Sequence, residues 1–474
     1  MPVIRTMKEF IQAIFCAPTG KYDDLPFPSR LTDEVFKALK EAGINRIFGY
    51  GYDIREETQV KTLELCEKYG IYYLPTMYSF GKYVSLGNGD EKAFCDLTEE
   101  EKTELDKEFV AEVAKYRNYP AFKGVFFGDE AGYLSFDGVA RAKRVFDENY
   151  PDLEFHFNFF SYSINDDIFW YGMANSFAKK PNLEKPFKLD GDLAITFKNR
   201  FNFYDKLVDG LVTKAKFEYL SQDKYPFESF WESVPTSVHV ALFELNAYFA
   251  EKKKKVGCKF YNYMQAGQWA TGTKRTKMTD GETALQAHVT AAYGHEGFAY
   301  FPGCFPIDYA KDKPYDPSEK GGAGLIDING NKADVYERVR ELNGFFSEIA
   351  DDILSSEFKG VWSYGKYYNG FTENEIKNLP DNECIFRGEL PEICKMKDET
   401  VSVKSTNEVM VSTFEREGKK RYYLVNLSTI EKNEVEAKFE SGEYVAITEK
   451  GKIAFKDAIN ITFNEGQGVY VIRK

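Results

Sequence analysis

The stretch that decides the fold is Phe122–Glu130, FKGVFFGDE, an apolar run that stops at two carboxylates, Asp129 and Glu130. A short apolar run rich in Phe and Val is typical of a β-strand buried on both faces. Seven other strand-like runs occur before residue 350, and most are followed by a helical pattern. This alternation predicts an α/β fold, a (β/α)₈ TIM barrel, whose chemistry lies at the C-terminal ends of its strands.

The eight strands of the expected barrel are separated by segments with helical periodicity. The apolar runs predict strands at 9–17, 45–50, 71–77, 122–128, 153–160, 216–221, 258–264 and 297–301. Helices are expected near 31–42, 57–69, 99–116, 138–148, 234–255, 280–293 and 335–354. The insertion 161–209 is too long for a passive connection, so we expect it to cover the top of the barrel.

From about Glu357 the pattern changes to short alternating runs separated by turn signals such as REGKK and ESGE. Strands are expected at 409–414, 421–425, 434–439, 444–448, 459–463 and 468–472. Period-two runs joined by tight turns predict a small antiparallel β-sandwich. The chain is therefore expected to form two domains, a barrel at 1–355 and a β-sandwich at 356–474.

Composition excludes several classes of partner. The net charge is −13 and no basic stripe occurs, which argues against a nucleic-acid partner. No apolar run reaches transmembrane length, so no membrane partner is expected. Seven Cys without a CxxC motif, and no visible signal peptide, predict a reducing, cytoplasmic location. A secreted chain with its signal removed would look the same, and the sequence does not determine the oligomeric state.

Motifs for metals and cofactors are missing from the sequence. None of the four His pairs with Asp, Glu or Cys at a metal-ligand spacing, so no metal is expected. No P-loop, GxGxxG or GxSxG motif occurs, and no cofactor is expected.

Four segments give the chain a resemblance to a known superfamily. They are GVFFGDEAG at 124–132, AAYGHEGFAYF at 291–301, LIDINGNKADVYERVRELNG at 325–344 and RYYLVNLS at 421–428. Together they resemble the glycoside hydrolases of the clan-A type, as found in beta-galactosidase-like barrels with an appended β-sandwich, without identifying one family. The resemblance implies a glycosidase that acts on a carbohydrate, with its acid/base Glu at the end of strand four.

The same resemblance also exposes a departure at strand seven. Retaining enzymes of this type carry a nucleophilic Glu there, whereas this chain reads CKFYNYMQAGQWA, with Gln265 and Gln268 near that place. A neutral amide is no carboxylate nucleophile. Either the second carboxylate comes from another strand, or the enzyme inverts the anomeric configuration, or catalysis has been lost.

Cleavage of a glycosidic bond needs a protonated acid and a second carboxylate that acts as nucleophile or as base. We expect Glu130 to be the acid; the alternative is a surface Glu held in an ion pair. Asp129 is expected to bind a sugar hydroxyl or to orient Glu130, although it could equally cap the loop. Asp223, which follows strand six in LSQDKYPF, is the candidate for the second carboxylate, with Asp53 and Asp308 as rivals.

Aromatic and amide side chains near the strand tops are candidates for sugar binding. Aromatic rings can stack on sugars and amides can bind hydroxyls, whereas loop packing and core hydrogen bonds are the structural alternatives. The expected substrate-binding residues are Asp129, Tyr50, Tyr52, Asp53, Tyr78, Asn158, Tyr225, Trp231, Gln265 and Trp269.

The sequence thus leads to the hypothesis of a glycoside hydrolase that acts on short glycans or chain ends. A catalytically inactive carbohydrate-binding barrel is the alternative. A barrel lyase or aldolase ranks below both, because Lys123 and Lys259 lie at strand starts rather than at strand ends.

Overall fold

Eight parallel strands form a barrel in the first and larger part of the chain. The computed structural model describes residues 9–22, 26–49, 53–87, 92–160, 166–176, 183–188, 197–227, 235–267, 278–305, 324–364, 392–394 and 396–474. The barrel strands are β1 (Ile11–Phe15), β2 (Arg46–Phe48), β3 (Tyr72–Leu74), β4 (Gly124–Asp129), β5 (Glu154–Phe159), β6 (Tyr219–Asp223), β7 (Lys259–Gln265) and β8 (Gly297–Phe301).

The strand order closes the sheet on itself. The hydrogen-bonded order is β3-β2-β1-β8-β7-β6-β5-β4, with every pairing parallel. Isolated parallel bridges from Tyr73 to Phe122 and from Thr76 to Phe126 join β3 to β4. The (β/α)₈ barrel that the sequence predicts is therefore confirmed.

Helices alternate with these strands and pack outside them. They are α1 (Asp33–Glu41), α2 (Glu56–Tyr69), α3 (Phe80–Val84), α4 (Glu99–Ala114), α5 (Phe136–Asn149), α6 (Asp166–Ser176), α7 (Phe197–Val212), α8 (Pro235–Val256), α9 (Asp280–Ala292) and α10 (Tyr336–Leu354). Local signals set their ends: Thr98 and Glu101 form a capping box at α4, and Gly70 ends α2 in the left-handed conformation. Among the described helices, α3, α6 and α7 are absent from the sequence prediction.

One strand boundary matters for function. The sequence predicts strand six at 216–221, but β6 spans Tyr219–Asp223. Asp223 is therefore the last residue of the strand rather than a residue of the following loop, and it is buried. Its side chain shares the inward face with Ser221 and Tyr219, because side chains alternate along a strand.

The barrel interior holds polar groups among packed rings. At the lower end an ion pair links Arg46 on β2 to Glu154 on β5, with 2.5 Å between Nη1 and Oε2. Above it, the ring of Phe48 stacks on His156, with 4.5 Å between their centroids. Phe15, Phe126 and Tyr263 pack together in the next layer. The interior is therefore packed with side chains, and in this fold the sites of chemistry lie at the C-terminal ends of the strands.

The C-terminal region forms the antiparallel β-structure that the sequence predicts. Its strands are β9 (Glu357–Tyr364), β10 (Val401–Ser405), β11 (Val409–Arg416), β12 (Lys419–Asn426), β13 (Asn433–Thr448), β14 (Gly451–Phe463) and β15 (Gly468–Arg473). The order is β10-β13-β15-β12-β11-β9, and β14 pairs with β13. The sequence misses β9 and β10. The turn expected at ESGE is wrong, because β13 continues through that segment with a register shift between Lys438 and Glu443.

The two faces of this sheet have different partners. Tyr422 and Leu424 belong to the core of the C-terminal region, whereas Tyr423 and Val425 join the core of the barrel. The barrel side is also held by polar contacts: His288 on α9 bonds to Tyr423 and Glu449. The last barrel helix ends at Leu354 and the first C-terminal strand begins at Glu357. Within the described ranges, no helix combines the length and apolarity that a membrane span requires.

Candidate active site

Three carboxyl groups meet at the C-terminal ends of β4 and β6. Asp129 ends β4, Glu130 follows it, and Asp223 ends β6. Asp223 accepts a hydrogen bond from Glu130, and its charge also acts on Asp129. The structure thus brings together the two residues predicted to be catalytic and one predicted to assist them.

A register shift in β4 sets the direction of Asp129 and Glu130. The register between β4 and β5 shifts between Phe126 and Gly128, so that Phe126 and Asp129 both lie on the inward side. Glu130 adopts a left-handed backbone conformation with φ 51°, and its N–H donates to the carbonyl oxygen of Asn158 at 3.0 Å. A non-glycine residue in this conformation stores strain, and such strain tends to occur at functional sites.

The insertion lies directly against this acidic loop. Gly172 interrupts α6 with φ 80° and forms an antiparallel bridge with Ala131. A Cβ atom on Gly172 would lie 2.5 Å from the carbonyl oxygen of Glu130, so the two backbones touch. The described part of the insertion therefore contacts the site, although the expected cover over the whole barrel top stays a prediction.

Aromatic packing fixes that contact. The ring of Tyr133 stacks on Phe169 at 5.7 Å and meets Trp170 and Phe187 edge-on at 5.6 and 5.2 Å. These are offset and T-shaped geometries, which aromatic pairs favour. Since Tyr133 is three residues from Glu130, the cluster ties the insertion to the loop that carries the acid.

A chain of buried polar groups leads from the carboxyls into the barrel. Nδ2 of Asn158 donates to Oδ1 of Asp129 at 3.0 Å, and Oγ of Ser221 donates to Oδ1 of Asn158 at 2.7 Å. Nε2 of His156 lies 3.1 Å from Ser221 Oγ and 3.1 Å from the hydroxyl of Tyr263. Asn158 is therefore held in one amide orientation, with its N–H groups aimed at the carboxyls.

His156 is a neutral member of this chain. Burial, and then the charge of Arg46, lower the pKa of His156 to about 3. Nδ1 is buried without a hydrogen-bond partner among the described residues. An orphaned acceptor is less costly than an orphaned N–H, so the tautomer with the proton on Nε2 is favoured. His156 thus orients Ser221 and Tyr263 and carries no charge to the carboxyls.

Burial dominates the electrostatics of the carboxyl groups. Burial, and then the charge of Asp223, raise the pKa of Asp129 to about 8. Asp129 nevertheless keeps some exposed surface. Burial also raises the pKa of Asp223, and the hydrogen bond from Glu130 opposes that rise. The carboxyl groups of Glu130 and Asp223 thus share a hydrogen bond in a buried environment.

Three tyrosines surround the carboxyl cluster. Burial and the charge of Asp223 raise the pKa of Tyr204 and Tyr225, and burial and the charge of Asp129 raise that of Tyr263. Tyr225 also packs on Phe301, with 5.2 Å between ring centroids. Tyr225 was predicted at the site. Ser221 and Tyr263 could have been found from their spacing of two from Asp223 and Gln265, whereas nothing in the sequence marks Tyr204.

Two predicted residues have structural partners instead. Asp53 accepts hydrogen bonds from Gly20 N, Arg55 and Thr58, so its carboxylate is occupied. Oε1 of Gln265 accepts from Phe227 N at 2.8 Å, and its Nε2 donates to Gly267 O at 3.2 Å. Both groups thus connect the segments around the site, and their role in sugar binding stays untested.

The remaining predicted residues divide into two groups. Tyr78 is 69% exposed on the segment after β3, and only its backbone N–H is fixed, by Glu112. Tyr50, Tyr52, Trp231, Gln268, Trp269 and Asp308 lie outside the described residues. Among the side chains that the structure describes, no group of three His, Cys, Asp or Glu could hold a metal ion.

The chain is similar to known proteins in its fold but not in its sequence. No protein-family model and no curated protein matches the chain. A GH42 beta-galactosidase from G. stearothermophilus is similar in structure, with a TM-score of 0.57, 9% identity and 98% of each chain covered. A family 39 glycoside hydrolase from Bacteroides cellulosilyticus WH2 gives a TM-score of 0.51 and 12% identity, over 98% of this chain and 81% of that one.

A third solved structure, described as a glycoside hydrolase, gives a TM-score of 0.51 and 11% identity. It covers 98% of this chain and 93% of its own. Since all three coverages extend over the C-terminal region, both the barrel and the appended sheet are shared. The predicted resemblance to clan-A glycoside hydrolases is thus confirmed at the level of the fold.

Proposed function

We propose that the protein is a glycoside hydrolase in which Glu130 protonates the leaving oxygen and Asp223 is the second carboxylate. The observation that supports this proposal best is the hydrogen bond from Glu130 to Asp223. In this proposal the proton of that hydrogen bond is on Glu130, which donates it to the leaving oxygen, and the negative charge is on Asp223, which attacks or acts as base. Glu130 is partly exposed in the cleft, where a leaving group can reach it.

The closeness of these two carboxyls favours retention of the anomeric configuration. Inverting enzymes hold the two groups about 6.5–9.5 Å apart to admit a water molecule, and retaining enzymes about 5 Å apart. Groups in hydrogen-bond contact need only a small rotation of Glu130 to reach the shorter separation. Asp223 would then form the covalent glycosyl intermediate, and β6 rather than β7 would carry the nucleophile.

Asp129 has a different task in this proposal. Because its raised pKa keeps the carboxyl protonated at neutral pH, it can donate a hydrogen bond as well as accept one. Asn158 occupies its Oδ1, which leaves the other oxygen for the substrate. We propose that Asp129 binds a sugar hydroxyl beside the scissile bond.

The substrate class follows from the insertion. The insertion contacts the acidic loop through Gly172, and in this proposal it closes the cleft on that side, which fits short glycans or chain ends better than the interior of a long polymer. Turnover of long polymers alone, with none of oligosaccharides, would contradict this part of the proposal.

The alternative is a carbohydrate-binding barrel that lacks turnover, and one observation favours it. The end of β7 offers the amide of Gln265, bonded to main-chain groups on both sides, where retaining relatives of the fold are expected to carry a carboxylate. Saturable glycan binding without hydrolysis would support this alternative.

The test is hydrolysis of a panel of aryl glycosides and natural oligosaccharides by the wild type, Glu130→Gln and a matched control. Glu108→Gln is that control, because Glu108 lies on the surface and pairs with Lys82. We expect wild-type turnover that falls at least about a hundredfold in Glu130→Gln and stays unchanged in the control. Equal turnover by all three proteins would show that Glu130 is not the acid.

A further inference from the structure

Tyr204, in helix α7 of the insertion, has a hydroxyl group without a hydrogen-bond partner among the described residues. The residue is completely buried. Buried hydroxyls almost always have a partner, and an unpaired one destabilises a protein by about 1–3 kcal/mol. This hydroxyl therefore needs an explanation beyond packing.

The ring that carries this hydroxyl is fixed by its neighbours. Tyr248 meets it edge-on, with 5.4 Å between centroids, and Phe249 does the same at 6.0 Å. Tyr248 itself is satisfied, because its hydroxyl donates to Asp205 at 2.8 Å. Two adjacent tyrosines thus share one aromatic cluster, and only one of them has a partner for its hydroxyl in the part of the chain that is described.

Asp223 supplies the complementary atom. Its Oδ1 is buried and, like the Tyr204 hydroxyl, has no hydrogen-bond partner among the described residues. Burial and the negative charges of Asp223 and Glu130 raise the pKa of Tyr204, so its hydroxyl keeps its proton and can donate. The Tyr204 hydroxyl is thus a buried donor and Asp223 Oδ1 a buried acceptor, and each can satisfy the other.

We propose that Tyr204 is a positioning residue whose hydroxyl donates a hydrogen bond to Oδ1 of Asp223 when that carboxylate is ionised. The bond is charge-assisted and forms in response to the charge, since hydrogen bonds at a catalytic site are often long before the reacting state is reached. It fixes one carboxylate oxygen and leaves the other to react. The catalytic consequence rests on the proposed function; the bond itself does not.

Other groups also act on the ionisation of Asp223. Those that face it within the described residues are Asp129, Glu130, Asn158, Lys224, Tyr225 and Tyr263. A donor on Oδ1 stabilises the ionised form, so its removal moves the titration of Asp223 to higher pH. Substitution of Tyr204 by Phe deletes the donor and leaves these other groups in place.

The experiment compares Tyr204→Phe with Tyr248→Phe, the same change on the neighbouring ring. The titration of Asp223 is followed by ¹³C NMR of its carboxyl carbon, assigned from the signal lost in Asp223→Asn. We expect the midpoint to move to higher pH in Tyr204→Phe and to stay in place in Tyr248→Phe. An unchanged midpoint in Tyr204→Phe would overturn the proposal.

Kinetics on a substrate that the wild type hydrolyses give the second readout. We expect kcat of Tyr204→Phe to fall about tenfold with little change in KM, and the acid limb of its pH profile to move to higher pH. Kinetics equal to those of the wild type in Tyr204→Phe would overturn the catalytic part of the inference. The glycosidase function would still be tested separately by Glu130→Gln. If the Asp223 midpoint shifts in Tyr204→Phe but the wild type hydrolyses no substrate, the proposed function is wrong and the hydrogen bond from Tyr204 to Asp223 is still supported.

Discussion

The carboxyl groups of Glu130 and Asp223 hydrogen-bond to each other, although strand β5 lies between the two strands that carry them. In a barrel of this kind, alternate strands contribute side chains to the same interior layer. β4 and β6 therefore present their last residues at one height, and Asn158 of β5 bridges beneath them. The contact between Glu130 and Asp223 therefore results from the barrel geometry and from the register shift in β4, which turns the end of that strand inward.

The first prediction concerns stereochemistry. Since the two carboxyls are in contact, we expect hydrolysis with retention of the anomeric configuration. Proton NMR of the anomeric signal during the first minutes of turnover gives the answer, before mutarotation mixes the products. A first-formed product of opposite configuration would show that Asp223 activates water, or that another carboxylate acts.

The second prediction concerns the contact between the insertion and the acidic loop. Gly172→Ala adds a Cβ atom 2.5 Å from the carbonyl oxygen of Glu130, at a residue with φ 80°. We expect kcat to fall about tenfold or more and the protein to lose about 1–3 kcal/mol of unfolding free energy.

The matched control for this substitution is Gly344→Ala. Gly344 lies inside helix α10 and a Cβ atom there would meet nothing within 4 Å. This variant should keep its activity and gain up to about 1 kcal/mol of stability, because Ala favours the helix. Full activity in Gly172→Ala would mean that the position of Glu130 does not depend on the insertion.

The third prediction follows from the raised pKa of Asp129. In the folded state its pKa is about 8, against an ordinary value of 3.8, so the folded protein binds this proton more tightly than the unfolded chain. Stability from this group is complete below the ordinary pKa and falls as pH rises toward 8. The loss of unfolding free energy is at most about 1.4 kcal/mol per pH unit.

Asp129→Asn removes this titration. The Tm of the variant minus the Tm of the wild type should therefore increase as pH rises from 5 to 8. Thermal unfolding of both proteins across that range measures this difference. A difference in Tm that is constant with pH would show that Asp129 is ionised in the folded protein at neutral pH.

Most of this architecture can be predicted from local patterns, because each barrel strand is an apolar run bounded by turns and helices α1, α4 and α9 begin at a Thr N-cap. Glu130 and Asp223 could be named for the same reason: carboxylates at the ends of buried strands are rare and point to one face. The sequence ends β6 two residues too early because its last residues, Gln222 and Asp223, are polar but buried, and a hydrophobic pattern gives no signal for them.

Other parts of the site depend on contacts that the sequence does not show. Asp53 is a rival of Asp223 in the sequence, and the structure shows its carboxylate bound to Arg55. Tyr204 lies in α7 of the insertion, and the sequence does not show that α7 brings it within reach of the charges of Asp223 and Glu130. Glu130 adopts a left-handed conformation directly after β4, and its carbonyl oxygen is approached by Gly172, which is distant in sequence.

The fourth prediction concerns the attachment of the C-terminal sheet. Burial alone would raise the pKa of Glu449, but hydrogen bonds from His288 and Arg338 lower it to about 2. Its contribution to stability is therefore present above the ordinary value of 4.5 and is lost as pH falls through 2.

Glu449→Gln should leave Arg338 buried without its main counter-charge. We expect a loss of about 3 kcal/mol of unfolding free energy at pH 7, measured by urea denaturation. Glu436→Gln, whose pair with Lys438 lies on the surface, should change little. Equal stability of both variants would show that the sheet is held by its apolar face alone.

The measurement that tests the central claim most directly compares leaving groups in wild type and Glu130→Gln. A dinitrophenyl glycoside departs without protonation, whereas a natural oligosaccharide needs an acid. If Glu130 is that acid, Glu130→Gln should keep much of the wild-type kcat/KM on the dinitrophenyl glycoside, because kcat/KM reports the step that forms the covalent intermediate, and should lose at least about a hundredfold in kcat/KM on the oligosaccharide. An equal loss on both substrates would contradict the assignment of Glu130 as the general acid.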